Sequence, residues 1–157
     1  MRFLLTMSLS ALLGACAVDA PLQSSVDETV AIQEAVFRYQ FEHNASSRKQ
    51  AADFYCLGIV EKKNPRPELM ERFAGHAPAV VPVSECRADA GSGVTRDSTS
   101  GHGLIFTVGD IKWINGSEVE VAGGYYEGGL SASGNVFRVK RIDGVWIVVE
   151  DRMEWIS

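Results

Sequence analysis

The chain has 157 residues, 15 basic against 20 acidic, a formal charge of -5, and 46% apolar residues. That size and composition suit one globular domain with a real core, and an acidic balance without a basic block argues against nucleic acid as a partner. The three histidines, His43, His76 and His102, are scattered and show no zinc-type spacing with the cysteines, so no metal or other cofactor is expected.

The first sixteen residues concern destination. Arg2 precedes an apolar run from Phe3 to Leu13, which stops at Gly14-Ala15 directly before Cys16. The run is too short for roughly 30 Å of hydrocarbon and has the layout of an export signal. The ending Leu13-Gly14-Ala15-Cys16 resembles the lipobox of bacterial lipoproteins. The resemblance implies a signal peptide over 1–15, a lipidated tether over 16–24 beginning at Cys16, and a single domain over 25–157. Ala17 lacks the aspartate that often retains lipoproteins at the inner membrane, so the expected location is the outer membrane, facing the periplasm. After processing, 14 basic residues face 20 acidic ones. Cys56 and Cys86 then remain as an even pair in an oxidising compartment and are expected to join; two buried free thiols are the alternative.

Ser25 and Glu28 form a capping-box pattern that opens a predicted helix running to about His43. On it Val26, Val30, Phe37 and Phe41 share one side, with Ile32, Val36 and Tyr39 nearby, opposite Asp27, Glu34, Arg38 and Glu42. The same wide arc holds Gln33, Gln40 and His43, a helix edge or a polar lining. The run FYCLGIV, residues 54–60, reads as a strand. Pro67 then suits the first turn of a short helix through Ala74, with Gly75 beyond its end. AVVPVSECR reads as an edge or irregular strand because proline cannot donate to a ladder. Residues 87–103 turn to Gly, Ser, Thr and Asp and are predicted to be a mobile surface loop.

Four long strands follow. A three-residue loop at Asn115-Gly116-Ser117 pairs Ile114 with Glu118, Trp113 with Val119 and Lys112 with Glu120, which keeps the tryptophan off the charged face. Asp143-Gly144 signals a type I′ turn that pairs Ile142 with Val145, Val139 with Val148 and Phe137 with Glu150. Val145, Ile147, Val149, Met153 and Trp155 share one predicted face, so this hairpin is expected to sit centrally or to serve a subunit contact.

The order helix, short strand, short helix, short strand, four long strands resembles the nuclear transport factor 2-like, or cystatin-like, α+β cone. The resemblance implies a long N-terminal helix packed on a curved antiparallel sheet, with a pocket between them. GGYYEGGLSASGNVFRV and the ending DRMEWIS also resemble a pattern recurrent in exported bacterial proteins. Cone proteins include isomerases, dehydratases and noncatalytic binding modules, and an enzyme of this kind needs an acid or base in an apolar pocket. Asp151 and His43 are the candidates for that role, with Tyr39, Gln40 and Arg138 as candidate ligand-binding residues. Asp151 paired with Arg138 in a peripheral ion pair is the plainer expectation. Tyr125 and Tyr126 beside Glu127 offer stacking surface. The resulting expectation is a lipid-anchored noncatalytic domain that binds a small molecule or an envelope protein, and that could dimerise through its sheet face. The rival is a cofactor-free lyase or isomerase that uses a pocket carboxylate.

Overall fold

The computed structural model describes residues 25–43, 52–89, 91, 93–97, 99–129 and 131–157. Cys16 and the whole of 1–24, where a signal peptide and lipidated tether are expected, lie outside the described residues. Helix α1 covers Val26–His43, and its first turn is capped by the Ser25 hydroxyl, which accepts from the Glu28 N–H at 3.2 Å. At about 1.5 Å per residue its 18 residues make a helix of moderate length, shorter than the resemblance implied.

Eight strands form one open sheet in the order β2-β1-β5-β6-β7-β8, with β3 and β4 attached beside β5. They are β1 (Phe54–Ile59), β2 (Ala79–Pro82), β3 (Cys86–Asp89), β4 (Gly93–Arg96), β5 (Thr99–Asn115), β6 (Glu118–Gly128), β7 (Ser131–Ile142) and β8 (Val145–Ile156). The chain is therefore α+β, one helix against a mostly antiparallel sheet. It is not wholly antiparallel, because β1 runs parallel to both β2 and β5. A parallel neighbour needs a crossover, supplied on the β2 side by a 3-10 turn and the short helix α2 (Pro67–Glu71).

The region 87–103, expected as a loop, is largely sheet: β3 and β4 pair as a hairpin, and β4 pairs on to the start of β5. Its glycines and serines weaken the hydrophobic signal, yet every backbone N–H and C=O still needs a partner, and the ladder supplies them.

On the face covered by α1, the core gathers Val36, Phe37 and Phe41 of the helix with Leu57, Phe106, Val121 and Phe137 of the sheet. Phe41 sits 4.8 Å from Tyr55 and 5.0 Å from Phe106, ring centre to ring centre. At the hairpin end Trp113 meets Trp146 edge to face at 5.7 Å. There Arg141 binds Glu28 at 2.9 Å and lies over the Trp146 ring, tying the hairpin to the start of α1.

The opposite face has a smaller cluster of Phe54, Cys56, Val81, Val83, Val94 and Ile105. The Cys56–Cys86 disulfide closes it, with Cα atoms 6.4 Å apart, inside the range a bridge requires.

Trp113 pairs with Val119 and Lys112 with Glu120, but Asn115, not Ile114, lies opposite Glu118, through a bulge. In the last hairpin Asp143 and Gly144 both take positive φ, 51° and 83°, as the type I′ turn demands. Ile142 pairs with Val145 and Val139 with Val148, but a register shift follows at Arg138/Val139, so Glu150 faces Arg138 and Asp151 faces Phe137. A second shift sets Met153 against Asn135 and Trp155 against Gly134. Each extra residue flips the side chains beyond it to the other face, so Met153 turns to the helix face, while Trp155, beyond the second shift, returns to the side of Val145 and Ile147 predicted for it. The hairpin is not central, since β8 is an edge of the sheet.

Candidate binding cleft

The sheet face turned away from α1 is hollowed in the middle. Side chains alternate along a strand, and on this face β5, β6 and β7 carry Gly109, Ala122, Gly124, Ala132 and Gly134, with Gly124 directly opposite Gly134 and Gly109 against Ala122. Glycine and alanine leave out the atoms that would fill the surface, and a cleft of about 800 Å³ lies over them. That is the size of a small-molecule site.

Its walls come from four directions. Ile59 ends β1 and Val60 and Lys62 follow it, Ala88 belongs to β3, and Ile105 and Tyr126 join it to the disulfide-closed cluster. Trp155 closes the β8 side. A Cβ at Gly134 would fall 2.1 Å from the Trp155 indole nitrogen, so the ring lies directly on that glycine and only glycine admits it.

Polar groups in the lining are few. The Thr107 hydroxyl donates to the Gly124 carbonyl at 3.3 Å, while Lys62 and Asp110 are exposed. The cleft presents an apolar, aromatic surface with charges at exposed positions. Among the described residues no group of three His, Cys, Asp or Glu side chains is placed to hold a metal ion.

The residues singled out from the sequence lie elsewhere. Asp151 faces α1, accepts from the Asn135 amide at 2.5 Å, and Asn135 in turn accepts from the Ser133 hydroxyl at 2.8 Å. Burial, and then the negative charge of Asp151, hold the Tyr39 hydroxyl above its usual 10.0, so Tyr39 is a neutral hydrogen-bond donor at physiological pH. His43 is exposed and stacks on Tyr39 at 4.1 Å. Gln40 is fully buried and donates to the Thr107 carbonyl at 3.0 Å. Asp151 thus lies on the helix face of the sheet, where its charge acts on Tyr39.

Arg138 is on the other face, within 3.5 to 3.7 Å of Glu118, Glu120 and Glu150. It does not pair with Asp151, because the bulge after Val148 hands that position to Glu150. Tyr125 packs against the helix-side core, yet both it and Tyr126 border the cleft.

The chain matches no family model, no curated protein and no solved structure. The site's geometry and chemistry therefore carry the functional reading.

The cleft residues had a sequence signal that composition obscured. Small residues at 122 and 124 alternate on one strand, those at 132 and 134 alternate on the next, and pairing the strands stacks them into one patch. Alternation placed Trp155 on the face of Val145 and Ile147, where it lies, although it does so only because the second register shift undoes the first.

Proposed function

We propose that the chain is a noncatalytic, lipid-anchored envelope domain that binds a flat apolar small molecule in the cleft remote from α1. The observation that carries this reading is the Gly/Ala floor between Tyr126 and Trp155. Such a floor lets a planar ligand approach backbone closely, while the rings supply contact area at low entropic cost. Asp151 and His43 do not line the cleft, so the acid and base candidates stand apart from the space best suited to a ligand. The order of elements supports a relation to the nuclear transport factor 2-like cone, with the ligand on the far side of the sheet from the helix. The Cys56–Cys86 bridge suits an oxidising compartment, and Cys16 supplies the anchor at the outer membrane.

The neutral fluorophore N-phenyl-1-naphthylamine is a suitable probe. It is expected to bind one per chain and to quench Trp155. Ala122→Phe places a ring in the cleft from an exposed position and is expected to weaken binding at least about tenfold with the fold unchanged. Full retention of binding by Ala122→Phe rules out this cleft. Fractionation checks the anchor separately: Cys16→Ser is expected to leave the membrane, and unchanged association contradicts lipidation.

A second reading draws on Asp151 with Tyr39. A carboxylate near a neutral tyrosine can move a proton, as a cofactor-free lyase or isomerase requires. Loss of turnover in Asp151→Asn, with cleft binding intact, would favour it.

A further inference from the structure

β8 ends the sheet, and among the described residues no strand pairs with its outer edge. Such edges are usually protected by charge or cover. This one exposes Val145, Ile147, Val149, Met153, Trp155 and Ile156, each between 44% and 65% accessible. Exposed large apolar side chains concentrated on a bare edge mark an interaction site.

The order of charges on the strand identifies the occupant. Glu150, Asp151 and Arg152 are consecutive. An antiparallel strand of the same sequence, related by a two-fold axis at Asp151, brings Glu150 of each copy against Arg152 of the other. Glu150 and Arg152 both lie on the face remote from α1, opposite Arg138 and Val136 of β7, so the two contacts form on one surface. The same register sets Ile147 against Trp155, also on that face, and Trp146 against Ile156 on the helix face. Apolar groups meet apolar groups, and opposite charges meet, at every one of these positions.

The backbone agrees. Ser157 and Ala132 exchange both main-chain bonds, at 3.0 and 3.3 Å, so the neighbouring Ile156 turns its N–H and C=O to the open edge. At the other end Ile142 and Val145 flank a two-residue turn and form the bonded pair, so Trp146 also turns its N–H and C=O outward. Trp146 and Ile156 are the residues that this register joins. The two register shifts, at Val149 and Glu154, stand on either side of Asp151. Two-fold pairing sets Val149 against Met153 and Glu154 against Val148, so each extra residue falls within one position of its counterpart in the other copy. The Asp151 carboxylate, nearest the axis, is drawn back toward its own chain by Asn135.

We propose that two copies of this chain join edge to edge through β8, antiparallel about Asp151, as one continuous sheet. Ile147 of the second copy then packs beside Trp155 and extends the cleft wall. The dimer does not depend on what the cleft binds.

Sedimentation velocity of the full-length chain carrying Cys16→Ser, so that shared micelles do not count as association, reads the state directly. A dimer is expected, and Glu150→Arg, which sets two like charges together twice, should raise its dissociation constant about tenfold or more. Adding Arg152→Glu restores the opposite-charge pairs and should recover most of the affinity, while circular dichroism confirms that each variant is folded. As a second readout, chains with Ile147→Cys are mixed with chains carrying Trp155→Cys. These positions lie roughly 26 Å apart along one strand, so a disulfide between them joins two copies. A monomer at all concentrations, a dimer indifferent to Glu150→Arg, or no cross-link between the two cysteine variants overturns the proposal.

Discussion

Gln40 is a buried amide that a core helix should avoid, and Gly123 is what makes it tolerable. The glycine lies on β6 beside the Thr107 carbonyl of β5, and the missing side chain leaves room for the Gln40 amide to reach that oxygen at 3.0 Å. A Cβ at position 123 would fall 2.6 Å from the Gln40 nitrogen, 2.7 Å from the Thr107 oxygen and 3.0 Å from the Phe137 ring. Gly123→Ala is therefore expected to lower stability by about 2 to 4 kcal/mol, combining overpacking with loss of a buried hydrogen bond. Gly128→Ala, whose Cβ would meet only Gly93 Cα at 3.6 Å, should change it by less than about 0.5 kcal/mol. Urea denaturation of both variants checks the contrast, and equal effects would contradict this role for Gly123. Helical spacing put Gln40 and Tyr39 on the wide apolar arc but left open whether Gln40 is a helix edge or a polar lining; it is fully buried. Their surroundings were not legible, because Asp151 turns to the helix face, where its charge acts on Tyr39, only through a shifted register, and Gln40 binds a backbone atom that no residue type announces.

Between elements, turn chemistry was readable and bulges were not. Asp143-Gly144 encodes a turn in the local preference for positive φ, so the register beside it follows directly. The register shift after Val148 has no such local residue. It comes from the whole sheet, which brings Glu150 onto the Arg138, Glu118 and Glu120 charges and turns Asp151 under the helix. For the same reason β3 and β4 were hidden in a composition that reads as loop. Their hairpin is held by backbone pairing and by the disulfide at Cys86, with surface ion pairs from Arg96 to Glu85 and from Arg87 to Asp97. The bridge spans 30 residues, and closing a loop of that length stabilises the folded state by about 3.6 kcal/mol in the chain-entropy account. Cys56→Ala with Cys86→Ala is expected to lose about that much in urea denaturation. A loss below about 1 kcal/mol would mean that the second cluster holds without it.

At the scale of the molecule, the sheet separates two environments. One face meets α1 and buries a polar chain of Ser133, Asn135 and Asp151 near Tyr39, while the other leaves a glycine-floored cleft between the disulfide-closed cluster and the bare β8 edge. The central claim is that ligand enters on the side away from the helix. Amide chemical-shift mapping of the isotopically labelled chain with N-phenyl-1-naphthylamine tests it most directly. The account predicts shifts concentrated at Gly109, Ala122, Gly124, Ala132 and Gly134 together with the Trp155 indole N–H, leaving Tyr39, His43 and Asp151 still. Shifts centred instead on Tyr39, Asn135 and Asp151 would move the site beneath the helix and contradict it.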